Sequence, residues 1–391
     1  MAALYVQISP VILDWLIKKA EVSDNTSVYN LLTAWRNEKK KPTFNQIEKL
    51  SKKMQIPFGY FFLKELPVET HPLTEFRTIT SQGIHEELST NLRDTIDAMM
   101  NIQDWMRDYV KDMGQNEKTY VGSCSIEMGM QAIAKQIRKD LRLLENWMVT
   151  QKDKQESFKF LRYACQEAGI LVMMNGIVGS NTHRPLDIQE FRAFTLVDKY
   201  VPLIFINAKD SISGRIFSLL HEIVHIWMGI NSIYNESTEQ FGQAIGRIEQ
   251  ICNAVASELL VPIHLFAAAW EKNTEPLVEK INSLSKNFTC SPVVIARKAL
   301  DMHYIKKDTY REIVAIAIKK YKETQKKKEN GGDYYATMNS RLDPRFIYAV
   351  EASAKSGRTP YSDVYRMTNT NRTTFKKLRQ KIIEGAGGMN S

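Results

Sequence analysis

The sequence predicts a mostly helical α+β protein, with a small sheet in the middle of the chain and small helical domains at both ends. Two observations predict this class. Apolar residues recur at steps of three and four along much of the 391-residue chain, as they do in amphipathic helices. Short runs rich in branched and aromatic residues at 169–174, 191–197 and 203–206 indicate three strands. We expect these strands to form one sheet.

Changes in composition along the chain predict three domains. Residues 67–83 combine prolines with Ser/Thr clusters, which is typical of a linker, and the Lys-rich run 326–332 closes the central part of the chain. We therefore expect domains at 1–70, 71–330 and 331–391.

The helices of the last two domains are predicted from the same periodicity. They are expected at 85–113, 126–147, 155–168, 275–285, 292–302, 308–326, 343–355, 361–367 and 373–383. Segment 176–185, between the first two strands, is expected to be a long loop.

An HExxH motif, from His221 to His225, follows the third predicted strand. Two histidines four residues apart lie on one face of a helix, so both imidazoles can reach one metal ion. Glu222, between them, can take a proton from a metal-bound water. Strand, turn and motif helix is the order found in zincins. We therefore expect residues 71–330 to form a zincin-like metallopeptidase domain.

The motif alone has an ordinary explanation, because a chance HExxH is expected on the order of once per hundred chains of this size. Its surroundings favour the metal site. Apolar side chains such as Leu220, Val224 and Trp227 flank both histidines, which suits a desolvated centre better than a solvated helix face.

A catalytic zinc takes three protein ligands and keeps a fourth position for water, so one more ligand is expected downstream. The predicted helix at 246–262 offers Glu249 and Glu258. They are nine residues apart, about half a turn out of phase, so both cannot face one metal. We favour Glu249, which shares a face with Asn253. The alternative is an ordinary packed helix with solvent-facing carboxylates.

Three segments, in this order, resemble the ImmA/IrrE family of zinc metallopeptidases. They are residues 202–227, the pattern E-x-x-x-N-x-x-A-x-x-x-L-x-P from Glu249 to Pro262, and residues 288–297. The resemblance covers roughly residues 160–305. Cys252 stands where many members have Ala, a small-for-small change from which we expect no effect.

The resemblance implies a function and a site. Members of the family cleave a helix-turn-helix repressor and so switch on the genes it holds off. Matched residue by residue, His221, His225 and Glu249 would bind Zn²⁺ and Glu222 would be the catalytic carboxylate. Tyr234, His264 and His303 remain open as oxyanion partners, because none has distinctive spacing. His183 is expected to be a surface or loop-anchoring residue.

The ends of the chain are its basic parts. The net charge of +9 divides into +3 for residues 1–70, +5 for residues 331–391 and +1 for the residues between them. Basic ends on a nearly neutral centre suggest contact with something acidic, either DNA or an acidic protein surface. A helix-turn-helix repressor as substrate and DNA at the terminal domains are therefore both expected partners.

Both ends carry partial helix-turn-helix signals. Residues 35–50, continued by Ile56-Pro57, resemble the last two helices of Xre-type domains, but the helices that would read DNA are unclear because 21–30 is polar and irregular. A degenerate domain that recognises a repressor, or that serves only for packing, is as well supported as a DNA reader. At the other end, the helices at 361–367 and 373–383 have helix-turn-helix lengths and turn chemistry around 368–371.

The apolar runs and the cysteine spacing argue against several classes of protein. No apolar run is long enough for a membrane span and no signal peptide is seen, so we expect a cytoplasmic protein. The four cysteines are Cys124, Cys165, Cys252 and Cys290. They form no CxxC pair, which argues against disulfides or a second metal site.

Two functions stay open. One is a zinc endopeptidase that cuts a repressor. The other is a DNA-binding or toxin-antitoxin-type regulator that uses the same fold with little turnover.

Overall fold

The computed structural model describes most of the chain: residues 5–22, 26–54, 56, 58–65, 88–234, 243–325 and 341–387. The chain divides into two compact units, Met1–Thr74 and Glu75–Ser391. The expected linker at 67–83 and the Lys-rich run at 326–332 lie outside the described residues, as do both expected domain boundaries.

The first unit is helical. Its elements are α1 (Pro10–Val22), α2 (Thr26–Arg36), α3 (Phe44–Met54) and a 3-10 helix (Phe58–Phe62). Their apolar faces enclose one core, with Ile12, Leu16, Leu32 and Ile47 fully buried. Among the described residues, α2 is the one helix between α1 and α3.

A capping box starts α3. The backbone N–H of Thr43 donates to Oε1 of Gln46 at 3.0 Å, and the N–H of Gln46 donates to Oγ1 of Thr43 at 3.4 Å. Each side chain satisfies a backbone donor that the first helical turn leaves unpaired. The Thr43–Gln46 pattern in the sequence predicts this cap, and the structure confirms it.

The second unit contains the remaining helices and all named strands. In chain order they are α4 (Thr90–Asp112), α5 (Gly129–Asp140), α6 (Lys154–Ala168), β1 (Leu171–Asn175), β2 (Ile177–Val178), β3 (Asn181–Pro185), β4 (Ala193–Leu196), β5 (Leu203–Asn207), α7 (Ile212–Met228), β6 (Ser232–Tyr234), α8 (Gln243–Leu260), α9 (Ile263–Lys272), α10 (Leu277–Asn287), α11 (Pro292–Asp301), α12 (Lys307–Gln325), α13 (Pro344–Lys355), α14 (Tyr361–Met367) and α15 (Arg372–Gly387). The structure confirms the predicted class, a mostly helical α+β fold with a zincin-like core.

The main sheet has four strands in the order β1-β5-β4-β6. β1 and β5 are parallel, whereas β4 is antiparallel to both β5 and β6. The three predicted strands correspond to β1, β4 and β5. Strand β6 was not predicted, because three residues are too few to show a period.

The loop predicted at 176–185 is wrong, because β2 and β3 pair there as an antiparallel hairpin. The side chain of Asn175 holds its entry: Oδ1 accepts from the N–H of Gly176, and Nδ2 donates to the carbonyl of Gly179. Both strands lie at the surface and are partly or fully exposed. They therefore lack the apolar alternation from which strands are recognised.

Two helix predictions are corrected. The helix expected at 126–147 begins with a 3-10 turn and ends at Asp140, and the chain then turns so that Trp147 is buried and its indole donates to the carbonyl of Leu259. Helix α9 is not predicted from the sequence, because Pro262 indicates the end of a helix and the residues after it show no separate signal. Pro262 instead separates two helices that meet at a bend of 55°.

Helix α7 lies at the centre of the second unit. It packs against β4 and β5 on one side and against α6 and α8 on the other, and nearly all residues from Ile216 to Trp227 are buried. No single described helix is long and apolar enough to cross a membrane. The bent pair Gly246–Leu260 and Ile263–Lys272 reaches the required length and apolar composition only when the two helices are counted together.

The C-terminal helices belong to the same compact unit as the sheet. The ring of Phe346 on α13 meets Trp105 on α4 edge-on at 5.8 Å. Asp343, which caps α13, is fully buried, and its Oδ2 accepts from the N–H of Val172 on β1 at 3.0 Å. The carbonyl of Val172 accepts from Nη2 of Arg162 at 3.0 Å. Two side chains thus satisfy both outward backbone groups of this edge residue.

Candidate metal centre

The helix that carries the motif starts at a tightly built cap. Oγ of Ser211 accepts from the N–H of Gly214 at 3.0 Å. The carboxylate of Asp210 lies over the same turn, where a Cβ at position 214 would collide with it, and accepts from Nη1 of Arg192 at 2.8 Å. Only glycine therefore fits this turn without a shift. The cap fixes the start of α7, and hence the direction in which its later residues point.

Three side chains meet two and a half turns further along. Nε2 of His221 lies 3.1 Å from Nε2 of His225 and 3.1 Å from Oε2 of Glu249 on α8. Nε2 of His225 lies 3.4 Å from Oε1 of Glu249. The histidines are at most 1 % exposed and the side chain of Glu249 is 14 % exposed. Among the described residues, these three form the one His/Cys/Asp/Glu group that could hold a metal ion.

The separations fit a tetrahedral zinc site. Bonds of about 2.05 Å place neighbouring tetrahedral ligand atoms about 3.3 Å apart, and the three measured distances lie between 3.1 and 3.4 Å. Two imidazole nitrogens and a carboxylate at such distances, shielded from water, need either a cation or shared protons between them. The donor set of two nitrogens and one oxygen is one that zinc accepts.

A neighbouring amide sets the tautomer of His221. Its Nδ1 lies 3.0 Å from Oδ1 of Asn253, one turn beyond Glu249 on α8. An amide oxygen only accepts, so Nδ1 must carry the proton and Nε2 keeps its lone pair. Two residues on the same face of α8 thus contact the centre: the carboxylate of Glu249 joins it, and the amide of Asn253 orients His221.

The pKa values of the centre report its preference for positive charge. Burial lowers the pKa of the His225 imidazole, but Cys252 and Glu249 outweigh burial and raise it well above its ordinary value. Burial raises the pKa of the Glu249 carboxyl, but the two histidines outweigh it and hold it well below its ordinary range. Cys252, at the position where many family members have Ala, is therefore one of the groups that raise the pKa of His225.

Glu222, the residue after His221, is fully buried, and its two carboxylate oxygens differ in their hydrogen-bond partners. Oε2 accepts from the hydroxyls of Thr195 and Ser232, each at 2.5 Å. Oε1 is buried and has no hydrogen-bond partner among the described residues. A buried carboxylate oxygen is rarely left unpaired, because desolvation costs free energy that a partner must offset. The carboxylate is therefore held by one oxygen, and the other is left for a further donor.

The sheet brings the two hydroxyls together. Thr195 on β4 and Ser232 on β6 are directly paired in the antiparallel register, so their side chains lie on the same face of the sheet. Sequence reasoning missed both residues. Thr195 was the one available signal, a polar residue inside the apolar run Ala193–Leu196, but its partner lies on a strand 37 residues away in sequence.

The other carboxylate that was considered as a ligand lies elsewhere. Glu258 is 2 % exposed and forms an ion pair with Lys298 at 3.0 Å. Its carboxylate also accepts from the N–H of Ile263 at the start of α9. Glu258 therefore joins α8, α9 and α11, and the structure brings Glu249, not Glu258, to the histidines.

The remaining candidates lie outside the converging group. His264 pairs with Glu145 at 3.2 Å on the surface, His303 is an exposed residue with a φ of 60°, and His183 is exposed on β3. The side chain of Tyr234 lies outside the described part of the chain. All four cysteines are buried and free.

Loss of one hydroxyl should slow any reaction that depends on Glu222. In Thr195→Val the carboxylate keeps one of its two donors and gains freedom to rotate, so we expect the cleavage rate to fall roughly 10- to 100-fold. Metal content should be unchanged. Thr195→Ser retains the hydroxyl and should recover most of the rate. Equal rates for Thr195→Val and the unaltered chain would show that the hydroxyls do not position Glu222.

Fold and site together are those expected of a metallopeptidase: a zincin-like core whose motif helix carries part of a His/Glu cluster that could bind a metal ion. Residues 165–300 match a peptidase family model described as IrrE N-terminal-like domain, which supports the ImmA/IrrE family and a metal-dependent peptidase role. Residues 342–381 match a model described as a domain of unknown function. Comparisons with curated proteins and with solved structures found no significant match.

Proposed function

We propose that this protein is a zinc-dependent endopeptidase whose substrate is a helix-turn-helix transcriptional repressor. One observation carries the catalytic part of the proposal. The ligand atoms of His221, His225 and Glu249 all lie within 4.8 Å of one another, and Glu222, the residue after His221, has a buried Oε1 without a hydrogen-bond partner among the described residues.

The residues divide the chemistry between them. Zinc bound by the two histidines and Glu249 would lower the pKa of a water molecule and polarise a peptide carbonyl. Glu222 takes the proton of the attacking water at Oε1 and gives it to the leaving amine. Thr195 and Ser232 hold the other oxygen so that Oε1 keeps its direction. Burial of the group keeps bulk water away and strengthens each charge interaction.

Strand β6 offers a place for the substrate backbone. It is the last strand of the sheet order, and Ser232 on it contacts Glu222. An extended peptide that pairs with the outer edge of β6 would run past the carboxylate, and main-chain hydrogen bonds would hold it with little dependence on side-chain identity.

The repressor as substrate rests on the family that residues 165–300 match, together with the two basic ends of the chain. The chemistry of the site does not itself select a protein sequence. Selection would come from surfaces outside the metal centre, and the basic ends are suited to bind either the repressor or the DNA it occupies.

The purified full chain should carry about one zinc per molecule and cleave a helix-turn-helix repressor offered as substrate, with any small helix-turn-helix protein encoded beside its gene tested first. A chelator should stop cleavage, and added zinc should restore it. Metal analysis and mass spectrometry of the fragments measure both effects. A chain without metal after gentle purification would refute the site. A zinc-loaded chain that binds this partner and leaves it intact would favour the regulator with little turnover.

A further inference from the structure

The three C-terminal helices share a small core of their own within the second compact unit. Helices α13, α14 and α15 enclose the buried side chains of Val350, Val364, Phe375 and Leu378. The unit coincides with the matched domain of unknown function at 342–381. None of its residues belongs to the metal centre, so the proposed peptidase chemistry leaves it without a role.

A tight turn joins α14 to α15. Oγ1 of Thr368 donates back to the carbonyl of Val364 at 2.7 Å and closes α14, and Asn369 has a φ of 52°, a left-handed conformation that Asn tolerates. Oδ1 of Asn371 accepts from the N–H of Thr374 at 2.9 Å and caps α15. A seven-residue helix, a four-residue turn and a longer helix on a shared core are the parts of a helix-turn-helix.

One face of α15 is exposed along its first turns. Exposed residues recur at steps that place them within an arc of about 140° of the helix, opposite the buried Phe375, Leu378 and Ile382. They are Arg372, Thr373, Lys376, Lys377 and Gln380. The arc holds three cations and two residues that both donate and accept hydrogen bonds.

The acidic residues of this unit whose side chains the structure describes are bound by other partners. Asp343 is buried against β1, and Glu351 forms ion pairs with Lys355 at 2.9 Å and with Arg379 at 2.7 Å. Asp363 pairs with Arg366 on α14. Residues 372–381 contain five cations and no acidic residue. The exposed face of α15 therefore presents positive charge, whereas Asp343, Glu351 and Asp363 are bound to groups of β1, α13, α14 and α15.

We propose that α15 is a recognition helix that enters the major groove of duplex DNA, with Arg372 and Thr373 facing base edges and Lys376 and Lys377 facing phosphates. The major groove admits one α-helix, and in helix-turn-helix proteins the N-terminal residues of the second helix contact the bases. Arginine pairs with guanine by two hydrogen bonds, and lysines neutralise phosphates. This role is independent of the proposed peptidase activity, because it uses no residue of the metal centre.

The test measures binding of the full chain to a labelled 30-base-pair duplex of mixed sequence at several salt concentrations. We expect the logarithm of the affinity to fall linearly with the logarithm of salt. Lys376→Ala/Lys377→Ala should lower the slope by about 0.9 for each lost phosphate contact and weaken binding roughly 10- to 100-fold at low salt. Lys306→Ala/Lys307→Ala removes an adjacent exposed pair near the start of α12 and should change neither quantity.

A second variant tests base reading. Sites selected by the unaltered chain from a random duplex pool should show a preferred guanine that Arg372→Ala no longer selects, with affinity for the selected site lowered about tenfold or more. Unfolding midpoints of all variants should match that of the unaltered chain, and Lys376→Gln/Lys377→Gln repeats the charge test with longer polar side chains.

Three results would overturn the proposal. The full chain could bind no duplex at low salt, or both lysine pairs could weaken binding equally, which would mean diffuse attraction. In the third, the Lys376/Lys377 variant would bind duplex normally but lose an acidic protein partner, which would assign α15 to protein recognition.

Discussion

Glu222→Gln should abolish cleavage and leave the metal in place. The amide occupies the same space and can still accept hydrogen bonds from Thr195 and Ser232 at its oxygen, so the fold around it should persist. It cannot take a proton from the attacking water. General base catalysis contributes about 10²- to 10⁴-fold, and we expect a loss of that size in the cleavage rate. Rates and metal content are measured on the same preparation.

The companion measurement is the thermal midpoint of the Gln variant, which should stay close to that of the unaltered chain. Retained cleavage would mean that another group takes the proton. Loss of metal together with activity would instead show that Glu222 supports the ligands, since a carboxylate next to two histidines also contributes charge to the centre.

Glu249→Ala should remove the metal. Even residues that only support a ligand typically change metal affinity by 10- to 100-fold, so loss of a ligand carboxylate should lower the affinity by more than about 100-fold. The two histidine nitrogens would remain 3.1 Å apart with no carboxylate to balance a bound cation. Equilibrium dialysis against a competing chelator measures the affinity, and cleavage should fall in parallel.

Glu258→Gln is the matched control, because this carboxylate lies on the same helix at a distance of nine residues. It should keep the metal and lose stability. Breaking a buried ion pair from one side strands the other charge, here Lys298 at 5 % exposure, and typically costs about 3–5 kcal/mol of the free energy of unfolding. Normal metal binding by Glu249→Ala, with loss in Glu258→Gln, would reverse the assignment of the third ligand.

Local patterns account for what the sequence predicted well. The convergence of His221, His225 and Glu249 from α7 and α8 depends on helical periodicity, and the cap of α3 depends on two residues three apart. The phase argument between Glu249 and Glu258 needs only the angle per residue. Each signal is complete within one element, so it can be read without knowing how the elements pack.

Contacts between distant segments account for what the sequence missed. Ser232 lies beside Thr195 at Glu222 only because β6 pairs with β4 in one register, and the three residues from Ser232 to Tyr234 are too few to predict that pairing. The helix at 263–272 was missed for a different reason. Proline is common both after the end of a helix and at the start of one, so Pro262 alone does not show that a second helix follows. The turn at 368–371 was predicted from its composition, but the exposed face of α15 needed the buried positions of its neighbours.

The burial of Asp343 has a consequence for self-association. An edge strand with unpaired N–H and C=O groups is a template for other chains, and proteins protect such edges with charges that point inward. At Val172 the carboxylate of Asp343 and the guanidinium of Arg162 occupy the positions that a neighbouring strand would fill. Because the carboxylate comes from the segment that starts α13, removal of the C-terminal helices would expose β1 for intermolecular strand pairing. A truncated chain would thus be prone to aggregate through β1, even with its metal centre complete.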